Sequence, residues 1–251
     1  MRRRPWLIGL LALGVVAVLV TGFVVVRSLG LPWLDRSECT ARSGGRSVTL
    51  SVAEAQRAGR IAAQVVADGR RARAATEALR TGVPGRGLSR ADAGVLASAL
   101  TGNSPDGFSC VLPGGTDAAS DTLGADGLVP RAERVLADLR EVFGDHLPVG
   151  GFAPGGVRTG HMPGSAHYEG RAVDVFVRPI NPTDRRHGWA IASYLLSQAD
   201  RLAIRTLIFD DRIWTRPRSA AGWRDYDVPA GSRGDRAILE HRDHVHVDVF
   251  G

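Results

Sequence analysis

His167 and Asp174 stand seven residues apart, with Gly170 between them, in the stretch Gly160-His161-Met162-Pro163-Gly164-Ser165-Ala166-His167-Tyr168-Glu169-Gly170-Arg171-Ala172-Val173-Asp174. A β-type run, Val173-Asp174-Val175-Phe176-Val177, begins at the carboxylate. Near the C-terminus, His241-Arg242-Asp243-His244-Val245-His246-Val247-Asp248 alternates as a strand. Its period of two places His244, His246 and Asp248 on one face and the valines on the other. Two imidazoles and one carboxylate, His167, His246 and Asp174, on neighbouring strands make a three-ligand Zn²⁺ set. Such a set leaves a fourth position open to water, the mark of a catalytic rather than a structural zinc.

These residues carry a resemblance. Ser165-x-His167-x-x-Gly170-x-Ala172-x-Asp174, followed by Asp243-x-x-His246 and by His244-x-His246, resembles the D-Ala-D-Ala peptidase family. The penicillin-insensitive murein endopeptidases and the Hedgehog fold are more distant relatives of that family. The likeness covers about 148–251, less than half of the chain. It implies a zinc metallopeptidase that cuts peptidoglycan stem peptides, as a D,D-carboxypeptidase, dipeptidase or endopeptidase. A carboxylate beside the metal would take a proton from water and return it to the leaving amine. By resemblance that role falls to Asp243, provided the chain turns just before His244. His241 is the rival base, because His241-x-x-His244-x-His246 resembles the spacing in the murein endopeptidases. His244 is implied to support the site rather than bind metal, and Ser165 to hydrogen-bond within the motif loop. Arg158 is implied to hold the scissile carbonyl or a substrate carboxylate. The alternative is an inactive zinc-containing module for envelope binding or regulation, since the Hedgehog example implies that zinc can outlast activity in this fold.

Other polar residues have plainer readings. His161 is expected as a solvated loop histidine at the cleft edge, Asp248 as a strand-end aspartate facing solvent, and Glu240 as exposed. Glu77 reads as a solvated helix face, so no paired-acid site is expected in the N-terminal half. Trp214 and Trp223 are expected to pack, with the floor of a substrate groove as their other reading.

The elements that must position these groups follow from pattern. Ser51-Val52-Ala53-Glu54 has capping-box spacing and opens a helix to about Ala67. Amphipathic stretches follow at 71–79 and, after Ser89, at 90–100. Pro130 begins a helix to Phe143, and 186–202 reads as another. Strands at 205–209 and 212–215 flank an expected turn at Asp210-Asp211. The fold class expected is α+β, a small antiparallel sheet with flanking helices of the Hedgehog/D-Ala-D-Ala peptidase type. A transmembrane helix and a small helical module are expected ahead of it. The predicted organisation is an anchor at 1–27, an extracytoplasmic helical module at 28–111, a linker at 112–127 and a zinc peptidase-like domain at 128–251.

Met1-Arg2-Arg3-Arg4 precedes an uncharged run from Trp6 to Val26. As a helix this run would be about 31 Å long, enough to span a bilayer core. The arginines would stay inside, leaving the C-terminal domain extracytoplasmic on a single-pass anchor; a cleaved, secreted form is the competing reading. Cys39 and Cys110 are the only cysteines and in that compartment read as a disulfide. The net charge of +6 rests on arginine alone and is scattered rather than gathered into a stripe. It suits an anionic envelope, with peptidoglycan or a muropeptide as partner and no nucleic acid expected.

Overall fold

The reciprocal capping box is the clearest link from sequence to structure. In this computed structural model, which describes residues 37–70, 72–83, 85, 87–115 and 120–251, the Ser51 hydroxyl accepts from the Glu54 N–H at 3.3 Å. The Glu54 carboxylate accepts from the Ser51 N–H at 2.8 Å. Two of the N–H groups that a helix start leaves unpaired are thereby satisfied. Helix α1 (Val52–Ala67) starts there, followed by α2 (Ala72–Gly82) and α3 (Arg90–Leu100), the last capped by Ser89.

The N-terminal half is not helical throughout, as the sequence reading had it. Strands β1 (Glu38–Ser43), β2 (Arg46–Ser51) and β3 (Phe108–Val111) form a three-stranded antiparallel sheet in the order β2-β1-β3. Cys39 and Cys110 sit directly opposite in the β1–β3 register and are joined by the expected disulfide.

The remaining elements are α4 (Pro130–Phe143), β4 (Val149–Gly150), β5 (Ala172–Phe176), α5 (Pro182–Ser197), β6 (Ile204–Phe209), β7 (Arg212–Thr215), β8 (Arg224–Asp225), α6 (Arg236–Leu239) and β9 (His244–Val249). The six strands pair antiparallel in the order β4-β5-β9-β6-β7-β8. The architecture is thus α+β with antiparallel sheets and helices. Asp210 and Asp211 take left-handed φ values of 53° and 65°, closing the β6–β7 hairpin where expected. Their N–H groups donate to the carbonyls of His241 and Glu240 at 2.8 and 2.9 Å, fixing the segment that leads into β9.

Residues Ser37–Gly251 form one compact unit. Helix α1 packs on α5 so closely that a Cβ at Gly59 would stand 1.9 Å from Ser197 Oγ. Trp214 and Trp223, both buried, donate their ring N–H to β3, Trp214 to the Cys110 carbonyl at 3.1 Å and Trp223 to that of Phe108 at 2.9 Å. The packing reading of both therefore holds. Arg216 reaches back to the Pro113 and Gly114 carbonyls, so at least this part of the expected 112–127 linker is bound to the sheet that follows it. Among the described residues no helix is long and apolar enough to cross a membrane. The predicted anchor at 1–27 lies outside the described residues.

One buried carboxylate ties three helices together. Asp138 of α4 accepts from the Tyr194 hydroxyl of α5 at 2.6 Å, from Arg60 of α1 at 3.2 Å and from Arg201 at 2.7 Å. Burial and this carboxylate both push the Tyr194 hydroxyl upward, so it stays a donor. Replacing Asp138 with Ala removes the shared acceptor and leaves the buried hydroxyl unpaired. The two arginines can still turn to solvent, which reduces the loss. The expected cost is about 2 kcal/mol of unfolding free energy in a urea titration, against about 1 kcal/mol for Tyr194→Phe. Equal stability of Asp138→Ala and the parent would mean that the helices are held by apolar packing alone.

Candidate metal centre

The register between β5 and β9 builds the site. Asp174 lies directly opposite His246, Phe176 opposite His244 and Ala172 opposite Asp248. Strand alternation then puts all six on one face, while Val173, Val175, Val245, Val247 and Val249 fill the other and are buried. His167 comes from a 3₁₀ turn (Ala166–Glu169) just ahead of β5. Ser165 caps that turn, its hydroxyl accepting from the His167 N–H at 3.4 Å, within the motif loop as expected. Gly170 ends it at φ 65°, where a Cβ would meet the Gly127 carbonyl at 2.6 Å. Only glycine lets the chain turn there and pass so close.

Three ligand-type atoms converge. His167 Nε2 is 3.1 Å from His246 Nδ1 and 3.3 Å from Asp174 Oδ1, and His246 Nδ1 is 3.1 Å from Asp174 Oδ1. Ligands bound tetrahedrally at the usual zinc distances stand about 3.4 Å apart, so this triangle is close to one face of such a site. The groups around it orient the rings. His167 donates from Nδ1 to the Gly151 carbonyl at 2.7 Å, which turns the Nε2 lone pair toward the triangle. Gly151 sits at φ 81°, and a Cβ there would stand 2.3 Å from His167 Cε1. Behind His246, Asp248 Oδ2 lies 3.6 Å from Nε2, and its Oδ1 is buried without a hydrogen-bond partner. Asp248 is therefore not the solvent-facing strand end that the sequence suggests. Its place opposite Ala172, on the ligand face, was the available signal.

His161 also differs from its expected role. Its ring stacks on His167 with centroids 3.9 Å apart and an 18° interplanar angle. His161, His167 and Asp174 form a group whose ligand atoms all lie within 4.8 Å of one another and could hold a metal ion. The His167–Asp174–His246 triangle is the tighter of the two overlapping sets, and His161 stands at its side. These donor types could hold a metal ion.

Beside the triangle, Asp243 is fully engaged. Its Oδ2 accepts from Arg178 Nε and Nη2 at 2.8 and 2.6 Å, and its Oδ1 from His244 Nδ1 at 2.7 Å. Burial raises the Asp243 carboxyl, but these hydrogen bonds outweigh it and hold the group below the usual range. His244, anchored through Nδ1, presents Nε2 toward the centre, 3.9 Å from Asp174 Oδ1. The chain does turn before β9, with His241 at φ 54°. That turn brings the His241 ring within 4.6 Å of the His244 centroid and 5.7 Å of the His246 centroid. His241 donates from Nδ1 to the Leu239 carbonyl at 3.1 Å. Burial, followed by the neighbouring His246 and His244, depresses it to about 3, leaving Nε2 an unprotonated acceptor. Arg158 is exposed and makes no hydrogen bond or ion pair among the described residues. Glu240, expected in solvent, is buried between Arg236 and Arg242. A separate cleft of about 700 Å³, lined by residues including Arg42, Arg46, Ser104, Asp106 and Trp223, contains none of these groups.

The electrostatics of the triangle give a pH prediction for metal-free protein. Burial alone would lower His246, but its contacts with Asp174 and Asp248 carry it up to about 9. Asp174 is raised by burial and lowered more strongly by His167 and His246, so it stays ionised far into acid. A proton on His246 Nδ1 then sits between Asp174 and His167, where a cation would sit. Because the folded value lies above the unfolded one near 6.5, this contribution is complete below about pH 6.5 and is lost as pH rises through about 9. Metal-stripped protein should lose a few kcal/mol across that window in urea titrations, and His246→Gln should flatten the profile. Gly151→Ala, which displaces His167, is expected to weaken metal binding about tenfold or more by competition against a chromophoric chelator. Unchanged affinity would show that metal binding does not depend on the His167 ring lying against Gly151.

A family model described as "VldE, C-terminal domain" matches residues 124–237, just under half of the chain. The matched region takes in His167 and Asp174 and ends before His241, Asp243, His244 and His246. No curated protein matches the chain. No solved structure matches it either.

Proposed function

We propose that this chain is a zinc-dependent peptidase of the D-Ala-D-Ala peptidase type, cutting peptide bonds in peptidoglycan stem peptides. The observation that carries the reading is the triangle of His167 Nε2, Asp174 Oδ1 and His246 Nδ1, with edges of 3.1–3.3 Å. The motif Ser165-x-His167-x-x-Gly170-x-Ala172-x-Asp174 supports it from the sequence side. When bound, a zinc ion would supply Lewis acidity for the scissile carbonyl and make water a competent nucleophile.

The chain's own groups divide the remaining work. His244 Nε2 faces the centre and can accept a proton and pass it to the leaving amine. Asp243 acts through His244: it fixes the Nδ1–H tautomer and stabilises the imidazolium that proton acceptance creates, the logic of an Asp–His pair. Arg178 holds Asp243 in that pose from the other side. His241 Nε2 is a second acceptor at the edge of the same cluster. Arg158, a guanidinium without a partner among the described residues, can meet a substrate carboxylate or carbonyl. The disulfide, together with Met1-Arg2-Arg3-Arg4 and the apolar run at 6–26, supports an extracytoplasmic placement beside a cell-wall substrate.

The test uses the full chain in detergent. Zinc content is measured, then muropeptide cleavage with and without a chelator. Cleavage should disappear with the chelator and return with zinc. His244→Gln should lower kcat by about 10²–10⁴-fold, and Asp243→Ala should lower it in the same direction with zinc retained. Zinc bound stoichiometrically with no stem peptide cleaved would replace the peptidase with an inactive envelope-binding module. Absence of zinc from protein refolded or purified in its presence would end the metal reading altogether.

A further inference from the structure

The segment ahead of the first ligand is built as a short hinged loop. Gly160 and Gly164 take φ values of 92° and 79° and enclose only His161, Met162 and Pro163. Backbone in this region is open to glycine and strained for other residues, so the loop has a swivel at each end. One hydroxyl latches it. The His161 N–H donates to Tyr168 Oη at 3.0 Å, and Tyr168 Oη donates to the His161 carbonyl at 2.5 Å. Tyr168 directly follows His167, so the latch ties the loop to the ligand-bearing turn. At the loop tip, exposed Met162 meets the Ser232 hydroxyl through its sulfur at 3.6 Å, a contact with the segment ahead of α6.

This arrangement lays the His161 imidazole flat against His167. Its ligand atom belongs to the group that spans at most 4.8 Å with His167 and Asp174. An edge of a tetrahedral site is about 3.4 Å, so His161 must shift toward the triangle to ligate. Parallel stacking of His161 on His167 keeps its nitrogen beside the metal position rather than on it.

We propose that His161 is a displaceable fourth ligand. Resting on the reading of His167, Asp174 and His246 as a metal triangle, the stacked pose is the set-aside one, and with an ion in the triangle and no substrate present the loop closes His161 onto the open position. It moves aside onto His167 when substrate arrives. The step is an exchange of one neutral donor for another, with no change in charge or oxidation state. The loop thereby protects a three-ligand centre from loss of its ion and from small competing anions. Met162, at the tip, is the part that an incoming substrate would press.

The experiment loads metal-stripped full-length protein with Co²⁺ and follows its visible absorption. Azide is titrated into the parent, His161→Ala and Tyr168→Phe, and the rate of cobalt loss to a chelator is measured for each. His161→Ala should bind azide at about tenfold lower concentration and release cobalt about tenfold faster, with an altered starting spectrum. Tyr168→Phe should move both quantities in the opposite direction by a smaller factor, because the ligand remains and the latch that holds it in the stacked pose is loosened. If His161→Ala matches the parent in spectrum, azide response and release, the proposal is overturned while the three-ligand centre stands. If His161→Ala does not fold, the same three measurements on Tyr168→Phe decide, and their identity with the parent overturns the latch. If the parent binds no cobalt, or binds it equally after His167→Ala and Asp174→Ala, the metal triangle itself falls and takes this inference with it.

Discussion

The pairing of Asp174 with His246 across β5 and β9 is the constraint on which the rest of the structure depends. It places a carboxylate and an imidazole opposite each other on adjacent strands, 3.1 Å apart and out of water. A charge in such a place needs partners, and His167 supplies one from a different element. The apolar face of the same strands enforces the register. Slipping β9 by one residue would turn Val245 and Val247 onto the ligand face and send His244, His246 and Asp248 into the core. The hydrophobic pattern therefore fixes the polar site without touching it.

His167 is harder to place, since it lies on a short turn and not in the sheet. Its position is set by close packing around glycines. Gly170 has no room for a side chain beneath Leu123 and the Gly127 carbonyl, and Gly151 has none beside the His167 ring. The Val129 N–H donates to the Gly170 carbonyl at 3.0 Å, so the start of α4 is pinned to the motif turn. The segment just ahead of α4 thus forms part of the wall that holds the first ligand, although its composition reads as a linker. Composition reports what a segment is made of, whereas this role depends on what packs against it.

The same distinction separates what was legible from what was not. Features set by neighbours in sequence were readable: the Ser51–Glu54 box, Pro130 at the start of α4, the Asp210–Asp211 turn and the alternation of β9. The convergence of His167, Asp174 and His246 was readable because residue type and strand period restrict it. Strands β1 to β3 were not, being short, rich in Ser, Thr and Arg, and stabilised by partners far along the chain. Their partner sheet and the tryptophan contacts from β7 and from Trp223, just ahead of β8, become visible only after folding. Asp248 was misjudged because a strand end is usually solvated, and here β9 is the interior strand between β5 and β6.

The partner of Asp243 was also invisible in sequence, since Arg178 lies 65 residues away. That partner changes the chemistry a carboxylate at this position can do. A general base works best when its pKa is near the working pH. A carboxylate held below its usual range by Arg178 and His244 gives up proton affinity, which makes it a poor terminal acceptor and a strong electrostatic anchor. An imidazole is by nature better matched to proton transfer near neutrality. With both Asp243 oxygens already engaged and His244 Nε2 turned toward Asp174, a proton route in the proposed peptidase would run through the imidazole. In this chain Asp243 then owes its place to the tautomer it enforces on its neighbour His244.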